Sequence, residues 1–115
     1  MNINLKIEVK IEGKTTVAKF TGEFDKAGFS DVREELMGLI SGFKGTRLVF
    51  DFTHVRFINS EGIGFLMEAH SNLKDTNQQL VIVGANAHVL DVFQTIGLSD
   101  LVPLYKSMKD LTELE

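Results

Sequence analysis

Reactive side chains gather in one stretch, Asn59-Ser60-Glu61-Gly62-Ile63-Gly64, where an apolar helical period begins. The Ser60 hydroxyl there can satisfy the free backbone N–H groups of a helix start. Taken alone, such a serine is a cap. Asp51, His54 and Ser60 supply the residue types of a hydrolase triad. Their order and closeness match no nucleophile elbow, and Gly-x-Ser-x-Gly is absent. A strand-end Asp, a loop His and a helix cap account for them more simply. His54, His70 and His88 are dispersed, without a His-Glu-x-x-His run, so no metal site is assigned. The chain has no cysteine, which excludes disulfides, thiolate catalysis and Cys-based zinc sites. Gly62-Ile63-Gly64 fails as a dinucleotide-binding fingerprint, because Met67 stands at the third glycine position. The Glu23-Phe24-Asp25 carboxylates are expected to face solvent or cap a helix. No catalytic residue and no cofactor follow from these residues, and the expectation is a non-enzymatic protein.

The elements that position this stretch are legible from periodicity. Ile3, Leu5, Ile7, Val9 and Ile11 alternate with polar residues, as on a half-buried strand. Glu12-Gly13-Lys14 marks a turn, Thr15 to Thr21 is the returning strand, and Gly22 ends it. After Asp25 the period changes: Phe29, Val32, Leu36, Leu39, Ile40 and Phe43 share one helix face. Arg47 to Phe52 reads as a third strand, apolar enough to be central. Thr53 to Asn59 reads as a loop. A second helix runs from Ser60 to Asp75, a fourth strand from Gln79 to Gly84, and a third helix from Ala87 to Ile96, stopped by Gly97. Val102 to Tyr105 is a short edge strand with Pro103, and Ser107 to Glu115 a last short helix. The expected fold class is α/β, a mixed sheet of four to five strands with helices packed against it, in β-β-α-β-α-β-α order.

Residues 1–115 form one domain on this reading, since a chain of 115 residues leaves no room for two. A hydrophobic share of 43% with 24% charged residues is ordinary for a soluble domain. A net charge of −4 argues against a nucleic-acid partner. No apolar run reaches the roughly 20 residues needed to cross a bilayer, and the first residues lack the pattern of a signal peptide. The expectation is therefore a cytoplasmic protein without direct membrane insertion.

Two motifs carry a resemblance. Asp51 to Gly64 is similar to the signature of STAS domains of the anti-sigma factor antagonist type, in which a buried strand ends in an acidic residue and leads to an Asp-Ser-Ser/Thr-Gly-Leu-Gly motif at a helix start. Thr21-Gly22-Glu23-Phe24-Asp25 resembles the Gly-Glu-Leu-Asp that follows the family's second strand. The element order agrees along the whole chain. The resemblance implies partner switching: the unphosphorylated protein binds a serine kinase that is also an anti-sigma factor, phosphorylation of the motif serine ends the contact, and a phosphatase reverses it. Ser60 is the matching serine. Asn59 departs from the family's Asp, and Glu61 from its Ser or Thr. A constitutive STAS scaffold or accessory subunit of a transporter or signalling complex, without a switch, is the alternative.

Around Ser60, the expected partner-binding residues are Glu23, Asp25, Asn59, Glu61, Gly62, Gly64, Phe65 and Glu68. Gly62 and Gly64 either open the backbone near Ser60 to a partner or allow close packing on the sheet. At 100° per residue, Ile63, Leu66, Met67, His70 and Leu73 form the expected core side of the second helix. Glu61, Phe65, Glu68 and Asn72 form the opposite side, so Phe65 either meets a partner or is covered by a neighbouring helix.

Overall fold

Alternation at the N-terminus and helical periods after it produce, in the computed structural model, the order β1 (Leu5–Glu12), β2 (Thr15–Phe24), α1 (Lys26–Gly42), β3 (Arg47–Ile58), α2 (Ser60–Asp75), β4 (Gln79–Val83), α3 (Ala87–Ile96), a 3-10 turn (Leu98–Asp100), β5 (Leu104–Tyr105) and α4 (Met108–Thr112). The structure describes residues 4–12 and 15–112; Ile3 of the expected first strand, Gly13 and Lys14 of the expected turn and residues 113–115 of the expected last helix lie outside them. The strands form one sheet in the order β1-β2-β3-β4-β5. β1 and β2 are antiparallel, and the remaining pairs are parallel. The expected mixed sheet is the one observed.

Each face has its own cover. Leu5, Ala18, Phe20, Leu48, Phe50, Leu80 and Ile82 meet the apolar sides of α1, α2 and α3. On the other face Val17, Val49, Val81 and Val83 are closed over by Leu111 of α4, with Tyr105 and Met108 beside it. This two-sided burial explains why Leu48, Val49 and Phe50 of β3 and Leu80 to Val83 of β4 are unbroken apolar runs.

β4, β5 and α4 differ from the sequence reading by one or two residues at an end within the described residues, whereas two strands run well past their expected ends, for one reason. β2 runs through Gly22 to Phe24, and β3 continues through the expected loop to Ile58. The register shifts between Lys19↔Asp51 and Thr21↔His54, and again between Gly22↔Val55 and Glu23↔Phe57. Each shift adds one residue on β3, as in a β-bulge. The inward positions then become Phe52, Val55 and Ile58, all buried, while Thr53, His54, Arg56 and Phe57 are exposed. A period of two turns into a period of three, and the strand signal is lost from the sequence. Asn86 closes the second shift: its amide donates to the carbonyls of Val55 (3.2 Å) and Arg56 (3.3 Å).

Phenylalanines tie the sheet to the start of α2. Phe20 meets Phe24, Phe50 and Phe52 edge-on at 5.2, 5.0 and 5.6 Å between ring centroids. Phe24 in turn lies 6.1 Å from Phe65, and Phe65 4.6 Å from Phe29 of α1. Five of the largest fully buried side chains are Phe20, Phe24, Phe50, Phe52 and Phe93. The helix that carries Ser60 is thus anchored by aromatic contacts at its first two turns.

Candidate functional site

The stretch from Phe57 to Gly64 turns from strand to helix at Asn59. The Asn59 N–H donates to the Phe24 carbonyl at 3.2 Å, which fixes the turn to the end of β2. The Asn59 side chain then accepts from the Glu61 and Gly62 N–H groups, both at 3.1 Å. Asn59 is therefore the N-cap of α2, and Ser60 is its first helical residue. This corrects the reading of Ser60 as the cap. Ser60 is exposed, and no hydrogen bond holds its hydroxyl among the described residues.

The two glycines part company. A Cβ on Gly62 would meet the Phe24 carbonyl, the Phe24 ring and the Ile58 side chain, so Gly62 exists for close packing. A Cβ on Gly64 would meet nothing within 4 Å, and Gly64 is exposed. Of the two open readings, packing holds for the first and an open surface for the second.

The expected faces of α2 also need correction. Its buried residues are Gly62, Phe65, Leu66, Ala69 and Leu73, while Met67 is 38% exposed. Phe65 is 3% exposed and packed between Phe24 and Phe29, so it and Gly62 are not partner-contact residues. The small residues at 62 and 69 carry the seam that brings the helix onto the sheet. Counting only large apolar side chains rotated the predicted face towards Met67. The exposed side holds Ser60, Glu61, Gly64, Met67 and Glu68.

The carboxylates of β2 are partly engaged. Asp25 caps α1, accepting from the Gly28 N–H at 2.8 Å. Glu23 pairs with Arg56 at 3.7 Å in an exposed contact. Beside Arg56, Phe57 is 41% exposed and stacks on His88 of α3, with 6.0 Å between ring centroids and 10° between planes. The sequence reading placed Phe57 in a loop and gave it no role. An aromatic left at the surface two residues before the N-cap was the available signal.

No triad assembles. The Asp51 carboxylate accepts from the Thr53 N–H (2.9 Å) and hydroxyl (2.6 Å), and His54 lies on the outer face of the sheet with Lys6, Glu8, Lys19 and Thr21. Among the described residues, no group of three or more His, Asp or Glu is placed to hold a metal, and no helix is long and apolar enough to cross a membrane.

A family model described as "Mlab, STAS domain" matches residues 7–103, most of the chain. The chain belongs to the STAS domain family. Among its curated relatives, the anti-sigma-B factor antagonist of Listeria monocytogenes is 28% identical over 103 residues, covering 89% of this STAS domain and 90% of the relative. Two solved structures share the fold. An anti-sigma factor antagonist from Mycobacterium paratuberculosis superposes with a TM-score of 0.81 at 23% identity, over 95% of this chain and 92% of that one. The Bacillus cell fate determinant SpoIIAA, in its phosphorylated form, superposes with a TM-score of 0.71 at 17% identity, over 96% and 100% of the two chains.

Proposed function

We propose that this STAS domain is a partner-switching regulator of the anti-sigma factor antagonist type. Unphosphorylated, it binds a serine kinase that doubles as an anti-sigma factor, through the exposed side of α2 and the adjoining end of β3. Phosphorylation of Ser60 releases the partner, and a phosphatase restores the binding form. The domain contributes no catalytic group and needs no cofactor, since ATP belongs to the kinase. The observation that carries the reading is the exposed Ser60 hydroxyl, free of the cap that Asn59 supplies. The similarity to the Listeria antagonist over nearly the full length of both chains supports the same reading.

A phosphate adds a charge of about −1.5 to −2 at that hydroxyl. At the first position of a helix it lies near the positive end of the dipole, so the fold tolerates it. The added charge acts on whatever docks there. Affinity purification from the protein's own cells tests this, with Ser60→Ala and Ser60→Asp forms side by side and phosphosite mapping of the wild type. Retention of a kinase by the Ala form, its loss from the Asp form, and phosphate on Ser60 are the expected results. A partner held equally by both forms, with Ser60 unmodified across growth conditions, identifies a constitutive scaffold instead.

A further inference from the structure

β1 is an edge strand, with β2 as its neighbour in the sheet. The Glu23 N–H donates to the Asn4 carbonyl at 2.9 Å, across the register that sets Leu5 opposite Gly22. Bonded and open positions alternate along an antiparallel ladder. The backbone groups of Leu5, Ile7, Val9 and Ile11 therefore point away from β2, to the free edge. Val9 and Ile11 are 40% and 77% exposed, and they line an open apolar groove with Leu39 and Phe43 of α1. An edge of this kind is a template for another strand.

The opposite face of β1 identifies which strand fits. Lys6, Glu8, Lys10 and Glu12 alternate in sign at every second residue. Two copies set antiparallel with Val9 opposite Val9 bring Lys6 onto Glu12 and Glu8 onto Lys10, each pair occurring twice. On the α1 side, the same register sets Ile7 on Ile11. Moving the axis to residue 8 puts Glu8 on Glu8 and Lys6 on Lys10. Moving it to residue 10 puts Lys10 on Lys10 and Glu8 on Glu12. Axes at residues 7 and 11 also oppose unlike charges, but among the described residues they engage only Lys6 with Glu8 or only Lys10 with Glu12. Opposite charges across a strand pair stabilise it and like charges oppose it, so the pattern favours the register about Val9, which engages all of Lys6, Glu8, Lys10 and Glu12.

We propose that β1 is a dimerisation edge, at which a second copy of this chain pairs antiparallel about Val9 and joins the two five-stranded sheets into one. Within one copy Lys10 already contacts Glu8 at 3.0 Å, but the two side chains stay 53% and 65% exposed and can turn to the second copy. This interface is separate from the Ser60 surface and does not rest on the switching reading.

Sedimentation velocity of the full chain over a concentration series is expected to show a reversible dimer. A monomer at every concentration overturns the proposal. Lys10→Glu sets carboxylates face to face and is expected to weaken the dimer about tenfold. The Glu8→Lys/Lys10→Glu exchange restores every opposite pair about Val9, and with it the dimer. A folded Lys10→Glu protein that dimerises like the wild type, or a folded double variant that stays monomeric, overturns the register. The chain has no cysteine, so single substitutions give a clean second readout. Val9→Cys is expected to oxidise to a covalent dimer, because its two Cα atoms would lie about 5.5 Å apart. Ile11→Cys is not expected to do so, its two copies being about 13 Å apart along the strand. Cross-linking at position 11, with or without position 9, overturns the register.

Discussion

Gly62→Ala and Gly64→Ala make the same chemical change two residues apart in one helix, and the structure assigns them opposite signs. In a helix interior, Gly is about 1 kcal/mol less favourable than Ala. At Gly64 nothing opposes that gain, since a methyl there meets no atom within 4 Å. Gly64→Ala is expected to stabilise the domain by about 0.5–1 kcal/mol. At Gly62 the methyl would stand 2.7 Å from the Phe24 ring and 2.9 Å from Ile58 Cγ1, and closer still to the Phe24 carbonyl. That carbonyl belongs to β2 and also accepts from the Asn59 N–H, so it cannot yield without moving the turn. Overpacking of this kind costs about 1–3 kcal/mol, occasionally more. With rigid backbone as the obstacle, the upper part of that range applies, and the net loss after the helical gain is about 2 kcal/mol. A chain of 115 residues has an unfolding entropy near 0.24 kcal/mol/K, so 1 kcal/mol shifts Tm by about 4 °C. Thermal unfolding followed by circular dichroism should place Gly64→Ala about 2–4 °C above the wild type and Gly62→Ala about 8 °C below it. A Gly62→Ala protein that melts no lower than the wild type would refute the assignment of Gly62 to the packing seam, and a Gly64→Ala protein that melts lower would refute the open surface at Gly64.

Asn59→Ala removes the acceptor for two N–H groups and is expected to cost about 1 kcal/mol in urea denaturation. Asn59→Asp keeps the acceptor and adds charge at the positive end of α2, so it should hold or raise stability by about 0.3–1 kcal/mol. Phe65→Ala empties a site between Phe24 and Phe29 and is expected to cost about 3–5 kcal/mol in the same assay. A Phe65→Ala protein as stable as the wild type would return Phe65 to the surface.

The sequence carried most of the frame. Both ends of α2 and α3, the element order along the chain and the mixed character of the sheet follow from periodicity, turn residues and the change from period two to period three or four, whereas the order of the strands within the sheet comes from the structure. What escaped it has a physical reason in each case. β3 beyond Phe52 was lost because two added residues break the alternation that marks a strand. The face of α2 was misjudged because Gly62 and Ala69 define the seam by being small, which a count of large apolar residues ignores. The cap was assigned to Ser60 because serine and asparagine are equally good N-caps, and only the hydrogen bonds of the fold choose between neighbours.

That choice has a consequence for any switch at this position. Were Ser60 the cap, a phosphate on it would disturb the first-turn N–H groups that its hydroxyl held, and modification would change stability together with binding. With Asn59 holding the Glu61 and Gly62 N–H groups, Ser60 can change its charge while the helix start stays satisfied. The surface around it narrows how such a charge could act. Glu61 and Glu68 already make the exposed side of α2 negative, and Glu23 is the one carboxylate nearby with a cationic partner among the described residues, Arg56. A basic partner surface would bind the phosphorylated form more tightly, which is the reverse of release. Release on phosphorylation would therefore call for a partner surface that is apolar or acidic where it meets Ser60, and Gly64 and Met67, four and seven residues beyond it on the same side of the helix, offer the apolar kind of contact. Burying an ionised group in such a contact is costly, and under the proposed switch that cost would separate the partners.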